Sequence, residues 1–205
     1  MKKIQLLFCL IAGSLGATAQ TSAEIAIKSQ RPSAMVDFDA YEKLSKEVKA
    51  YRKDRLVSLE TFLQYAKDKN TIILDTRSAE MYKRKHIKGA INLNFSDFAQ
   101  DRLRQVIGAG NKRILIYCNN NFAPDFDPVS FVSKSALPVP KLKFKTKSLT
   151  LALNIPTFIN LYGYGYRNIY ELADLISFPE AFVAFEGTDV LKPATEQAVK
   201  ITSGK

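Results

Sequence analysis

Two short, unbroken apolar runs, Thr71-Ile72-Ile73-Leu74-Asp75 and Arg113-Ile114-Leu115-Ile116-Tyr117, constrain this chain more than any other feature. Each is far too short to span a membrane and too uniformly apolar for a strand with one wet face. Each therefore reads as a β-strand covered on both sides. Shorter strand-like runs recur at 90–93 and 168–170, and helical patterns fall between them around 78–85, 95–103 and 154–162. Strands alternating with helices build an α/β layered domain around a mostly parallel sheet.

The flanks of these runs fit the same scheme. Tyr41, Leu44, Val48 and Tyr51 recur at steps of three and four, which predicts an N-terminal helix with lysines on its outer face. Residues 55–57 read as a short edge strand. Ser58 then caps a helix whose Leu59, Phe62, Leu63 and Ala66 share one side. At 205 residues, 46% hydrophobic and 24% charged, the chain has the balance of one ordinary globular domain. It holds a single histidine, His86, and two cysteines without Cys-x-x-Cys spacing, so neither a metal centre nor a disulfide scaffold is expected.

The amino terminus reads as a cleavable export signal over 1–19. Lys2 and Lys3 precede the apolar stretch 4–12, and Ala17-Thr18-Ala19 offers the small residues a signal peptidase reads. Phe8 before Cys9 is too large for a lipoprotein cleavage site. The mature protein is thus expected to be exported, periplasmic or secreted, with no integral membrane segment after cleavage. Loss of Lys2 and Lys3 takes the formal charge from +10 to +8. Its basic residues are scattered along the chain, which argues against a nucleic-acid partner. Residues 20–53 read as a leader and helix, 54–186 as the main domain with an insertion over about 123–153, and 187–205 as a poorly ordered tail.

Cleavage also removes Cys9, leaving Cys118 alone in an oxidising compartment. The plain reading is a buried small hydrophobe; the sharper one is a reactive thiol. Cys118 directly follows the second apolar run, and ligands of parallel α/β sheets gather at the carboxyl ends of strands. The loop after it, Asn119-Asn120-Asn121-Phe122, is rich in the residue type that most readily enters left-handed backbone. Its amides are expected to curl into an anion-binding nest. Asn154 is expected to cap the next helix, with Pro156 tolerated in its first turn.

The stretch Ile73-Leu74-Asp75-Thr76-Arg77, followed by His86-Ile87-Lys88-Gly89-Ala90, resembles the Asp-x-Arg and His-Ile-x-Gly-Ala signatures of the rhodanese family. Ile116-Tyr117-Cys118 resembles its active-site strand, and Gly165-Tyr166-Arg167-Asn168-Ile169-Tyr170 its last strand. The resemblance implies a layered α/β fold with a central, mostly parallel five-stranded sheet flanked by helices. It also implies sulfur transfer with no cofactor. Cys118 would be the catalytic nucleophile that carries a persulfide, and Asn119, Asn120, Asn121 and Phe122 would cradle it. The partners implied are a small sulfur donor and a thiol or other nucleophilic acceptor.

The loop lacks the basic and glycine residues common in active members, and the insertion separates it from its helix. Asp125 and Asp127 lie just beyond, where carboxylates would raise the thiol pKa. These departures keep open a second reading, a catalytically inactive binding or persulfide-carrier module with a partner protein. Phosphatase or arsenate-reductase chemistry ranks last, because Ala123 and Pro124 stand where an oxyanion-gripping arginine is needed. Lys141, Lys143, Lys145 and Lys147 alternate as on an exposed edge strand. Folded back over the site, they would supply a positive field. Asp75, Arg77 and His86 read as structural, as does the cluster of Tyr162, Tyr164, Tyr166 and Tyr170.

Overall fold

The computed structural model describes residues 32–108, 111–124, 126–136, 149–177 and 183–190. It comprises two units, Met1–Asp39 and Ala40–Lys205. In the first, residues 32–39 are exposed throughout. The export signal, the alternating lysines, Asp125 and the tail from 191 lie outside the described residues. No helix among the described residues is long and apolar enough to cross a membrane.

Helix α1 (Phe38–Arg52) leads into edge strand β1 (Leu56–Val57) and α2 (Leu59–Ala66). Ser58 caps α2 as expected, accepting from the Thr61 N–H at 3.3 Å. Strand β2 (Thr71–Asp75), α3 (Ala79–Arg84), β3 (His86–Ile87) and β4 (Ala90–Asn92) follow. Then come α4 (Gln100–Ile107), β5 (Arg113–Tyr117), the short pair β6 (Ser135–Ala136) and β7 (Leu149–Thr150), α5 (Asn154–Gly163), β8 (Ile169–Leu172) and β9 (Phe185–Glu186).

The central sheet has five strands, all parallel, in the order β1-β8-β5-β2-β4. Its two apolar runs sit side by side, Ile73 opposite Leu115 and Asp75 opposite Tyr117. Alternation along β5 divides the core. Ile114 and Ile116 face one side, packing with Val48, Leu103 and Phe158 from α1, α4 and α5. Leu115 and Tyr117 face the other, with Phe62, Phe122, Phe131 and Leu172. Burying each such large side chain contributes about 1.5–3 kcal/mol before entropy is counted, so both faces being covered is what makes the unbroken apolar runs stable as strands.

Two stretches differ from their sequence pattern. The single helix expected over 95–103 is a 3₁₀ turn (Phe95–Asp97) followed by α4, with extended backbone at Phe98 and Ala99 between them. The Asn94 side chain accepts from the Ser96 N–H at 3.3 Å, and this local bond favours a turn over a continuing helix. The tail does not leave the domain at Gly187. Thr188 N–H donates to the Lys83 carbonyl at 3.0 Å, and Arg84 pairs with Asp189 at 2.9 Å. Gly187 has φ +135°, and a Cβ there would lie 2.3 Å from the Arg84 carbonyl oxygen, so only glycine fits this approach.

The insertion is partly core. Phe131 stacks on Phe122 at 3.7 Å between ring centroids, and Phe126 and Phe185 complete an aromatic cluster. Its two ends are joined where β6 and β7 pair, Ser135 opposite Thr150 and Ala136 opposite Leu149.

Candidate active site

The sheet order places β5 at its centre, and Cys118 stands at this strand's carboxyl end. The turn after it is 3₁₀ (Asn119–Asn121), with Cys118 as its N-cap. No non-glycine residue among those described has positive φ, so the expected left-handed nest is not formed. Two of the loop amides are spent on the turn itself: Asn121 N–H donates to the Cys118 carbonyl and Phe122 N–H to that of Asn119, each at 3.1 Å. Only the Asn120 N–H turns to the sulfur, at 3.4 Å from Sγ.

The remaining donors come from across the insertion. Helix α5 starts against Cys118, and the backbone N–H groups of Asn154 and Leu153 at its start act on the sulfur to lower its pKa. Leu153, not Asn154, is the N-cap of α5 and offers no capping side chain. The first N–H groups of a helix lack intrahelical partners and favour negative charge, so a sulfur anion can take the place of the missing cap. Thr157 on α5 and Thr76 after β2 join their hydroxyls at 3.0 Å, which pins the helix to the sheet edge beside the thiol.

Cys118 is 1% exposed. Burial pushes its thiol above the ordinary range, the amides of Asn120, Asn154 and Leu153 pull it down, and the Glu171 carboxylate adds to the upward push. Glu171 is itself buried and paired with Arg52 of α1 at 2.5 Å. The carboxylate expected to act on the thiol, Asp127, is occupied elsewhere, with Lys85 at 3.0 Å and the Ser130 N–H at 2.9 Å.

The four loop residues have different surroundings. Asn121 is buried and structural in its contacts, accepting from the Cys118 N–H and donating to the carbonyls of Leu172 and Asp174. Phe122 lies within the aromatic cluster. Asn120 turns its side-chain oxygen to the Lys134 N–H. Asn119 borders a cavity of about 380 Å³, which also reaches Cys118, Arg77, Met81, Phe95 and Lys134. Leu151 and Leu153 close its insertion side. These wall residues were not legible as a site; the only hint was that 151–153 immediately precede a helix that had to begin near the cysteine.

Arg77 shows why the Asp-x-Arg spacing matters. Its guanidinium grips Asp75, with Nε to Oδ1 at 3.0 Å and Nη2 to Oδ2 at 2.7 Å. Further bonds reach the carbonyls of Lys85 and Ser130 and the side-chain oxygen of Asn119. Tyr117 donates to Asp75 at 2.5 Å and accepts from the Ile87 N–H. His86 stacks on Tyr82 at 3.7 Å with its Nδ1 2.6 Å from the Tyr82 carbonyl, a packing role near β3. Among the described residues no cluster of histidine, cysteine and acidic side chains is arranged to hold a metal ion.

Residues 58–135 match the family model of the rhodanese-like domain. The chain carries a rhodanese-like domain. Its five-stranded parallel sheet flanked by helices is consistent with that assignment. Among solved structures it is similar to the BH2092 protein of Bacillus halodurans, at 16% identity over 78% of this chain and 99% of that one, with a TM-score of 0.42. No curated protein matches it. Within the rhodanese-like domain, the matched stretch holds Asp75, Arg77 and Cys118 but ends before α5, so the helix amides at the sulfur come from outside it.

Proposed function

We propose that this rhodanese-like protein is an exported sulfurtransferase in which Cys118 carries sulfane sulfur as a persulfide. The observation that carries the reading is the setting of the Cys118 sulfur: it accepts the Asn120 N–H at 3.4 Å, beside the start of α5 and a cavity large enough for an organic donor. In the first step the Cys118 thiol loses its proton and the thiolate attacks the outer sulfur of the donor. The donor's S–S bond breaks, and its electron pair leaves on the remaining fragment. In the second step an acceptor thiolate attacks the outer sulfur of the Cys118 persulfide, and Cys118 departs as thiolate. The amides of Asn120, Leu153 and Asn154 stabilise the negative sulfur at both stages.

Intact mass measurement of the protein after incubation with a sulfane donor, beside Cys118→Ser, tests this. Gain of one sulfur in the wild type only, lost again on adding a thiol, is expected. A folded wild type that gains no sulfur overturns the proposal. The raised thiol pKa favours a second reading, a persulfide carrier or binding module, which would load sulfur in a single turnover but show no multiple turnover with small thiols.

A further inference from the structure

The cavity beside Cys118 bears on which donor enters it. Thiosulfate is a compact dianion and needs cations with free donors. Arg77 borders the cavity, but all five of its N–H groups are committed: Nε and one Nη2 hydrogen to Asp75, the other to the Lys85 carbonyl, and the Nη1 pair to Ser130 and Asn119. Its charge is balanced by Asp75, which is wholly buried. Lys134 is the only other cation among the described residues that line the cavity. The other described lining residues are neutral, with Met81, Phe95, Leu151 and Leu153 giving the wall an apolar side. Leu151 is 64% exposed, so its side chain is open to an entering molecule.

Resting on the sulfur-transfer reading above, we propose that the donor is a low-molecular-weight organic persulfide with an apolar body and one anionic group, rather than thiosulfate. The body lies against Leu151, Leu153 and Phe95, and the anionic group meets Lys134. Cys118 takes the outer sulfur: Cys–SH and R–S–SH become Cys–S–SH and R–SH, the donor S–S bond breaking as the new one forms, with one proton passing from Cys118 to the leaving thiolate. No net oxidation or reduction occurs, so no further reagent is needed. The insertion, which supplies Lys134, Leu151 and Leu153, thereby sets the donor class.

The test follows sulfur gain on the full chain by mass over time with N-acetylcysteine persulfide, its methyl ester and thiosulfate. Each rate is divided by that donor's rate with free 2-mercaptoethanol, a thiol distinct from every donor fragment, to remove intrinsic reactivity. The normalised rate is expected to be about tenfold higher for N-acetylcysteine persulfide than for thiosulfate, equivalent to about 1.4 kcal/mol. Leu151→Asp is expected to slow both organic donors more than thiosulfate, and Lys134→Gln to narrow the gap between acid and ester. Equal or faster normalised loading from thiosulfate, or organic-donor rates unmoved by Leu151→Asp, overturns the donor assignment and leaves Cys118 sulfur chemistry standing. No loading from any donor on folded protein overturns both.

Discussion

Asn121 and Asn154, 33 positions apart, are joined by a 3.0 Å bond from Asn154 Nδ2 to Asn121 Oδ1, and the same oxygen accepts the Cys118 N–H at 3.0 Å. One buried amide thus ties the cysteine turn to the start of α5 across the insertion. Its own Nδ2 is spent on the carbonyls of Leu172 and Asp174, which also ties the turn to the end of β8.

Asn121→Ala leaves buried donors and acceptors without partners, and each such group costs about 1–3 kcal/mol. The variant is expected to lose about that much stability by urea unfolding, with an unchanged slope. Combined with Asn154→Ala, the double variant should fall short of the sum of the singles by at least about 0.5 kcal/mol, as directly bonded pairs do. Strict additivity would show that the contact does not hold the turn and helix together.

The Asp75, Arg77 and Tyr117 network makes a different prediction. Asp75→Asn removes the carboxylate paired with the buried Arg77 guanidinium, and breaking a buried pair from one side costs about 3–5 kcal/mol. Tyr117→Phe removes one hydroxyl bond to Asp75 and should cost only about 1–2 kcal/mol. Thermal and urea unfolding of the two variants checks the order. A Tyr117→Phe protein less stable than Asp75→Asn would refute the assignment of Asp75 as the anchor of the network.

These two cases also show what the sequence could and could not reveal. The strands at 71–75 and 113–117 were legible because covered parallel strands need unbroken apolar residues. Ser58 was legible because capping is local, and Asp75 with Arg77 because the pair lies within two residues. The partners of Asn121 were not, since side-chain pairing across an insertion leaves no periodic trace. Nor did the pattern show that Phe126 and Phe131 belong to the core, because four aromatic rings from 122 to 185 meet only after β5, the insertion and β9 have come together. The asparagine run pointed to left-handed backbone; a 3₁₀ turn formed instead, with Asn121 as its third residue bonded to the Cys118 N–H, to Asn154 and to the carbonyls of Leu172 and Asp174, partners distant in sequence that a local pattern does not show.

Glu171 gives the sharpest test of the electrostatics at Cys118. Burial and this carboxylate raise the thiol pKa, so the reactive thiolate should accumulate only above the free-thiol value of about 8.5. The sign for stability follows: the folded state prefers the neutral thiol, so its contribution is complete below the unfolded pKa and is lost as pH rises through the folded one. Glu171→Gln removes the nearby negative charge and leaves Arg52, 29% exposed at its side chain, without its carboxylate. Both changes favour the thiolate. Ultraviolet titration of the thiolate, taken as the difference from Cys118→Ser to cancel the tyrosines, should therefore move toward lower pH in Glu171→Gln. The loading rate at neutral pH should rise with it. A titration that stays in place, or moves to higher pH, would show that Glu171 serves only to hold Arg52 and has no hold on the sulfur.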